Sequence, residues 1–256
     1  MRLLLTLQYR GTRYGGWQLQ ANAPSVQQVV EEALVTMFSA PIRVHGAGRT
    51  DSGVHALAQR AHIDAPVEIP PRGFLLGINN LLPDDVRVIR VEQVADDFHS
   101  RFDAKGKSYA YRIWNTEFAD VFHSETHAHV AQHLDETKMH EAAQALRGTH
   151  DFKAFTVAEP EVSSTIRTVE NVAVTRDGNV VRIDITADGF IRYMVRRIAG
   201  SLIEIGRGKL DGDALRRSLE PAFEVARWTA VAKGLILVSI DYALPDARCP
   251  SPRDVS

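Results

Sequence analysis

One carboxylate, Asp51, stands in a glycine-rich setting within the stretch His45–His55. Glycines at positions 46, 48 and 53 let the backbone turn sharply and approach a ligand closely. Arg49 lies two residues before Asp51, so the two side chains share a face wherever the backbone is extended. An ionised aspartate held in a pocket can act as a nucleophile or as a base. Asp-Ser-Gly is also an ordinary turn sequence, so the spacing alone leaves a catalytic and a structural interpretation open.

Positive charge is concentrated in two segments, although the chain has 30 Lys and Arg against 32 Asp and Glu. The total gives no support for nucleic-acid binding. Residues 98–112 and 190–209 nevertheless hold nine Lys and Arg against two acids, whereas residues 83–97 are acidic. Tyrosines lie within both basic segments, and basic residues interleaved with aromatic ones suit a polyanion with stackable bases. A solvated charged surface is the alternative interpretation.

Four histidines lie close together in the sequence, and two of them, His127 and His129, could bind zinc as a His-x-His pair. The other two are His123 and His133. No thiolate or carboxylate constellation accompanies them, and a catalytic zinc needs three well-placed protein ligands. Hydrogen-bonded or solvated imidazoles are therefore the favoured interpretation, and a metal-dependent hydrolase remains an alternative function.

The composition is that of an ordinary globular protein, with 256 residues, 45% hydrophobic and 24% charged. A chain of this length buries enough core to need neither a disulfide nor a metal. The single cysteine, Cys249, excludes a disulfide framework and a Cys-x-x-Cys site. The run Leu3–Leu5 is too short for a signal sequence, and no stretch approaches the roughly 20 apolar residues of a membrane span. We therefore expect a cytoplasmic protein that does not contact membranes.

The elements that must position these residues are both helices and strands. Ser25 and Gln28 form a capping-box pattern before apolar residues at helical spacing, so a helix is predicted up to Pro41. Asp177-Gly178-Asn179 predicts a hairpin. Further strands are predicted at 3–9, 42–45, 86–94, 107–114, 169–175, 180–186 and 235–242, and further helices at 135–146, 190–206 and 211–219. Hairpins without regular βαβ units predict an α+β fold with a mainly antiparallel sheet.

The motif around Asp51, Gly48-Arg-Thr-Asp-Ser-Gly-Val-His55, resembles the signature of the tRNA pseudouridine synthase A family. The resemblance extends in order over most of the chain, from residue 9 to residue 242. The other segments that resemble family motifs are Tyr9–Gln18, Asn79–Pro83, Asp97–Phe102, Tyr109–Asn115, Phe190–Arg196 and Gly234–Leu237.

The resemblance implies a pseudouridine synthase fold of two α+β halves, joined in one mainly antiparallel sheet with a central active-site cleft. Residues 1–103 would form the half with the catalytic Asp, and residues 104–245 the half with the Tyr and Arg motifs. The proline-rich tail, 246–256, is expected to be disordered. The implied enzyme is a homodimer that isomerises uridine at positions 38–40 of the tRNA anticodon stem-loop. It uses no cofactor and no metal.

The resemblance also assigns roles to residues. Asp51 is the catalytic carboxylate, and Arg49 helps to displace and hold the target nucleotide. Tyr109 stacks on the base, Arg196 pairs with the carboxylate, and Leu235 packs beneath the base. Together with the charge pattern, it predicts RNA contacts from Arg13, Arg101, Lys105, Lys107, Arg192 and Arg197.

Two positions depart from the family pattern. Ile236 stands where an aromatic residue is usual, and Arg192 stands where His is frequent. Neither lies in the Asp51 motif. An alternative function is a non-catalytic RNA-binding or chaperone protein on the same fold, which would need the basic surface but not Asp51.

Overall fold

The structure is a computed structural model that describes residues 1–156, 163–220 and 228–243. The chain divides into two compact units, Met1–Lys105 together with the chain from Leu237 on, and Gly106–Ile236. The expected disordered tail, 246–256, lies outside the described residues.

The first unit is built around the strand β1 (Arg2–Tyr9), which pairs antiparallel with strands on both sides. Leu3, Leu4 and Leu5 are completely buried, so both faces of β1 are covered. The remaining elements, in chain order, are α1 (Val26–Phe38), β2 (His45–Gly46), β3 (His55–Asp64), α2 (Pro71–Asn79) and β4 (Val86–Val94). β1 lies between β3 and β4.

The helix α1 begins where its cap predicts. The backbone N–H of Gln28 donates to the Ser25 hydroxyl at 3.2 Å, which satisfies one of the free amide groups of the first turn. The Gln28 side chain does not complete the capping box, because its amide donates to Glu32 at 2.8 Å. The helix ends at Phe38, where Ser39 adopts a left-handed conformation with φ 54°.

The predicted strand at 42–45 is mostly wrong, since β2 includes only His45 and Gly46. The reason lies in the hydrogen bonds of Val44. Its N–H donates to Glu31 at 3.0 Å, and its carbonyl accepts from Gln27 at 3.1 Å. The backbone of Val44 therefore binds side chains of α1 and is not available for a strand ladder.

The described residues of the second unit form a mainly antiparallel sheet and three helices. Its elements are β5 (Ala104–Trp114), β6 (Ala128–His129), α3 (Glu136–Ala143), β7 (Gly148–Asp151), β8 (Ile166–Asp177), β9 (Val180–Ala187), α4 (Met194–Gly206) and α5 (Ala214–Ser218). β5, β9, β8 and β7 are neighbours in that order. The predicted hairpin is confirmed, because Asp177 pairs with Val180 across a turn in which Gly178 has φ 52°. The last strand, β10 (Leu235–Tyr242), begins with the last two residues of this unit, and its remaining residues belong to the first unit.

The helix predicted from residue 190 begins four residues later, at Met194. The cause is Tyr193, whose φ of 65° places it in the left-handed region and outside the helix. The helix predicted at 135–146 is capped by Asp135 and becomes a 3₁₀ turn after Ala143. α5 is likewise shorter than the predicted 211–219.

The sheet as a whole is large and mainly antiparallel, with helices added, so the predicted α+β class is confirmed. The longest helices of the described residues have 13 residues, and none is both long and apolar enough to span a bilayer.

Candidate active site

Asp51 lies in the loop that joins β2 to β3, and this loop is bound to the segment that follows β1. The carbonyl of Thr50 accepts from the Trp17 backbone N–H at 3.1 Å. The buried Thr50 hydroxyl lies 2.9 Å from the hydroxyl of Tyr9. The carbonyl of Tyr14 accepts from the backbone N–H of Gly53 at 3.3 Å. Residues on both sides of Asp51 are therefore fixed, and the Asp51 side chain is half-buried.

Two hydroxyls behind this loop remain protonated at any ordinary pH. Burial raises the pKa of Tyr9 to about 12. Burial also raises the pKa of Tyr14, and the hydrogen bond from its hydroxyl to the buried carboxylate of Asp85, at 2.6 Å, adds to this effect. Both phenols act as neutral hydrogen-bonding groups that hold the loop.

Three glycines of the neighbouring segments allow the close approach. A Cβ on Gly11 would lie 1.9 Å from the carbonyl oxygen of Val54. A Cβ on Gly16, which has φ 111°, would lie 2.5 Å from the carbonyl oxygen of Thr50. A Cβ on Gly46 would meet the Trp17 ring at 2.3 Å. The resemblance of Tyr9–Gln18 to the family therefore has a physical meaning, because this segment fixes the Asp51 loop.

Tyr109, in the second unit, is a largely buried residue of β5 and is 9% exposed. Its ring meets the Phe190 ring edge to face, with centroids 5.1 Å apart and an interplanar angle of 85°. Packing of this kind restricts the rotation of the tyrosine ring.

Arg196 lies on the first turn of α4 and is fixed from two directions. Its Nε donates to the carbonyl of Ala230 at 2.9 Å, and its own carbonyl accepts from the Ala230 N–H at 2.9 Å. The guanidinium carbon lies 5.2 Å from the centroid of the Tyr193 ring, within cation–π distance.

Leu235 is the first residue of β10 and is 6% exposed. The preceding Gly234 approaches Tyr111 so closely that a Cβ there would lie 2.7 Å from the ring. The Tyr111 hydroxyl donates to the carbonyl of Val231 at 2.9 Å, and burial raises the pKa of this phenol. The position of Leu235 is thus set by contacts of β5 with the chain just before β10.

The residues predicted to contact RNA differ in how accessible their charges are. Those with exposed side chains are Arg13, Arg101, Lys105 and Arg192, and Lys107 is partly exposed. Arg13 lies 3.5 Å from Asp85 and keeps 80% of its side chain exposed. Arg197 is different, since its guanidinium donates to the backbone carbonyls of Ala154, at 3.2 Å, and Thr156. Fewer of its donors are left for a phosphate. Arg49 is exposed.

Three of the four histidines at residues 123–133 contact other protein groups, and the fourth, His133, is exposed. The His123 ring stacks on Trp114 with centroids 4.3 Å apart. The His127 ring nitrogen Nδ1 lies 3.0 Å from the Thr126 hydroxyl, and His129 Nε2 lies 2.9 Å from the carbonyl of Thr116. Burial lowers the pKa of His127 to about 4, and the neighbouring His123 adds to this.

A second cluster of histidines has ring nitrogens close enough together to share a metal ion. Within the described ranges, the one group of three His, Cys, Asp or Glu side chains close enough is His45, His62 and His99, whose ring nitrogens lie within 4.8 Å of one another. The Ser100 backbone N–H donates to His62 Nδ1 at 3.2 Å, and the Arg101 N–H donates to His99 Nδ1 at 3.1 Å. An uncharged imidazole that accepts at Nδ1 carries its proton on Nε2, so neither ring presents a free Nε2 lone pair. These rings fit a structural role better than a metal site.

The residues that hold the Asp51 loop were not predicted from the sequence as parts of a site. Tyr14 and Asp85 are 71 positions apart, and Tyr9 and Thr50 are 41 apart. The available signal was the resemblance of residues 9–18 to a family motif.

The chain belongs to the tRNA pseudouridine synthase family, whose sequence model matches residues 6–103 and 142–243.

Its relatives cover nearly the whole chain. A protein of Photobacterium profundum named tRNA pseudouridine synthase A is 43% identical over 94% of this chain and 93% of its own length. A protein of the same name from Ruminiclostridium cellulolyticum is 40% identical over 94% of this chain and 99% of its own length. A third protein of this name, from Myxococcus xanthus, is 39% identical over 97% of this chain and 95% of its own length. The family predicted from the motif around Asp51 is therefore confirmed.

Proposed function

We propose that this chain isomerises uridine to pseudouridine in tRNA, with Asp51 as the catalytic carboxylate. The observation that carries the proposal is the Asp51 loop, in which the flanking residues Thr50 and Gly53 bind backbone and side chains of residues 9–17 while Asp51 itself stays half-buried. A carboxylate on a fixed loop is suited to meet a reacting atom at a defined distance. Membership of the family supports the reaction.

The reaction breaks the bond between N1 of uracil and C1′ of the sugar and forms a bond between C5 and C1′. C5 loses its proton to solvent, and N1 gains one, so the product is an isomer. Asp51 acts either as a nucleophile at the sugar or as the base that removes the C5 proton, and both roles need an ionised carboxylate.

A paired and stacked uridine has to leave the helix before Asp51 reaches it, which costs a few kcal/mol. Arg49, exposed beside the catalytic residue, fills the place of the displaced nucleotide or holds its phosphate. Tyr109 stacks on the flipped base, an interaction worth about 1–3 kcal/mol in single-strand binders. Leu235 packs beneath the base, and Arg196 pairs with the carboxylate.

The finer parts of the proposal extend the family resemblance. The substrate is the anticodon stem-loop, modified at positions 38–40, and the enzyme acts as a homodimer in the cytoplasm without cofactor or metal. Residues 1–103 supply Asp51, and residues 104–245 supply the Tyr and Arg motifs. Phosphates bind the predicted set of basic residues, of which Arg197 contributes least because it donates to Ala154 and Thr156.

The test is release of tritium from tRNA labelled at C5 of uridine. We expect the wild-type protein to release tritium and Asp51→Asn to fall to background, with a tRNA affinity within about twofold because only one charge is removed. The matched control is Asp177→Asn, in an exposed hairpin, which should behave as wild type.

Two results would contradict the proposal in different ways. Near-normal release by Asp51→Asn would remove the residue assignment. Binding of tRNA by the wild-type protein without any release would instead favour a non-catalytic RNA-binding protein. Mapping pseudouridine by carbodiimide modification and primer extension tests the positions, and sedimentation equilibrium tests the dimer.

A further inference from the structure

Tyr193 adopts a conformation that its residue type rarely adopts. Its φ is 65° and its ψ is −4°, which lies in the left-handed region that favours Gly, Asn and Asp. Within the described residues, the only other non-glycine residue with positive φ is Ser39, at the end of α1. Tyr193 instead stands at the start of a helix, where a left-handed residue is not required to end it. A strained residue that persists calls for a compensating contact.

The compensating contact is made by the ring. The guanidinium carbon of Arg196 lies 5.2 Å from the centroid of the Tyr193 ring, and that of Arg192 lies 5.1 Å from it. Both distances are within the range of a cation–π interaction. The left-handed turn thus directs an aromatic face toward two cations, one of them the arginine assigned to the catalytic carboxylate.

The backbone around Tyr193 serves the same arrangement. The Tyr193 carbonyl accepts from the Arg197 N–H at 2.9 Å, which starts the hydrogen bonding of α4. Ala230 binds Arg196 through both its N–H and its carbonyl. The segment at residues 228–230 also packs closely on α4, since a Cβ on Gly200 would lie 2.2 Å from the Trp228 carbonyl oxygen. Arg196 is therefore fixed at Nε by a carbonyl and contacted at its guanidinium by a ring.

We infer that Tyr193 is a positioning residue that orients the Arg196 guanidinium for the isomerisation reaction. A long arginine side chain has many rotamers, and holding it in one before substrate binds removes an entropic cost from the reacting complex. The inference rests on the proposed function, because the role of Arg196 comes from it. Tyr193 itself needs no contact with uridine.

The test compares variants that keep or remove the ring. Tyr193→Phe keeps the aromatic face, whereas Tyr193→Asn removes it and still tolerates the left-handed backbone. We expect Tyr193→Asn to lower the single-turnover rate of pseudouridine formation about tenfold, with little change in tRNA affinity, and Tyr193→Phe to restore most of the rate. Tyr193→Gly, which also accepts positive φ, provides the same comparison if the Asn variant does not fold.

Two further measurements separate positioning from a general structural effect. In an Arg196→Gln background, Tyr193→Asn should cause no additional loss of rate, because the residue acts through Arg196. In the protein without RNA, the NMR signal of Arg196 Nε–H should be slow to exchange with solvent, because it donates to Ala230. Exchange should become faster in Tyr193→Asn but not in Tyr193→Phe.

The inference is overturned if Tyr193→Asn keeps both the wild-type rate and the wild-type exchange of Arg196 Nε–H, or if its loss of rate is undiminished in the Arg196→Gln background. Failure of the proposed function looks different, since the wild-type protein would then release no tritium. The exchange measurement still decides the Tyr193–Arg196 contact in that case.

Discussion

Replacing Gly16 with alanine should disturb the Asp51 loop without touching Asp51. Gly16 has φ 111°, and a Cβ at this position would lie 2.5 Å from the Thr50 carbonyl oxygen, 3.1 Å from the Asp51 carbonyl carbon and 3.2 Å from the Ser52 nitrogen. All three contacts are with backbone, which cannot rotate away as a side chain would. The added methyl group must therefore move the loop or the segment that carries it.

The cost has two parts. A non-glycine residue in a sparsely populated backbone region costs about 1–3 kcal/mol, and an additional methylene in a packed site costs about 1–3 kcal/mol. Gly16→Ala should thus lose about 2–6 kcal/mol of unfolding free energy. Because a displacement of about 1 Å at a reacting group can reduce the rate about 100-fold, the single-turnover rate should fall about 10- to 100-fold, while tRNA affinity changes little.

Urea unfolding and single-turnover tritium release measure the two effects. The matched control is Gly178→Ala, in the hairpin between β8 and β9, where φ is 52° and no atom lies within 4 Å of the added Cβ. It tests the positive φ alone, and we expect a loss of about 1–2 kcal/mol with normal activity. The reasoning is refuted if Gly16→Ala is no less stable than Gly178→Ala, or if it keeps the wild-type rate.

Three more predictions concern acid, metal and salt. His62 is 2% exposed, and burial together with His45 and His99 lowers its pKa from 6.5 to about 4. Between these two pH values the native state binds fewer protons than the unfolded state. The free energy of unfolding should therefore fall by up to about 2 kcal/mol from pH 7.5 to pH 5. Urea unfolding at both pH values measures this loss. If His62→Asn loses as much stability between the two pH values as the wild-type protein, the loss does not come from His62. Dialysis against a chelator should leave activity intact. A loss of activity that zinc restores would instead indicate a metal site, for which His45, His62 and His99 are the candidates. Lys107→Ala should weaken tRNA binding and flatten the slope of log affinity against log salt by about one. Arg49→Ala should instead lower the single-turnover rate more than the affinity. A loss of rate alone in Lys107→Ala, with a loss of affinity alone in Arg49→Ala, would contradict the two roles.

The sequence was sufficient to predict the elements whose signals are local. Ser25 caps α1, and Gly178 forms the turn of the β8–β9 hairpin, as their residue types predict. The strand β3 was missed because it contains mostly alanine and polar residues, although nearly all of it is buried. α2 was missed because it begins at Pro71 after a residue that makes no side-chain cap. In both cases packing against neighbouring elements stabilises an element that local propensity does not predict.

The candidate site likewise combines a local sequence signal with contacts between residues that are distant in sequence. Asp51 could be proposed as the catalytic residue because the glycines and other neighbours around it form a recognisable pattern, whereas the groups that fix its loop are distant in sequence. The Thr50 carbonyl binds Trp17, and the Thr50 hydroxyl binds Tyr9. No periodicity or spacing within one segment encodes contacts of that kind, since each depends on the path of the chain between them.

At Tyr193 the apolar spacing predicts a helical conformation that the structure does not show. Apolar spacing predicts a helix from Phe190, and the residue types from 190 to 194 do not forbid one. A helical Tyr193 would continue α4 backward at a lower backbone cost. The observed left-handed residue instead brings the aromatic ring within 5.2 Å of two guanidinium groups. Since helix propensity favours the regular conformation, contacts such as these must offset the cost of the irregular one, and we expect the loss of the ring to affect Arg196 before it affects the fold.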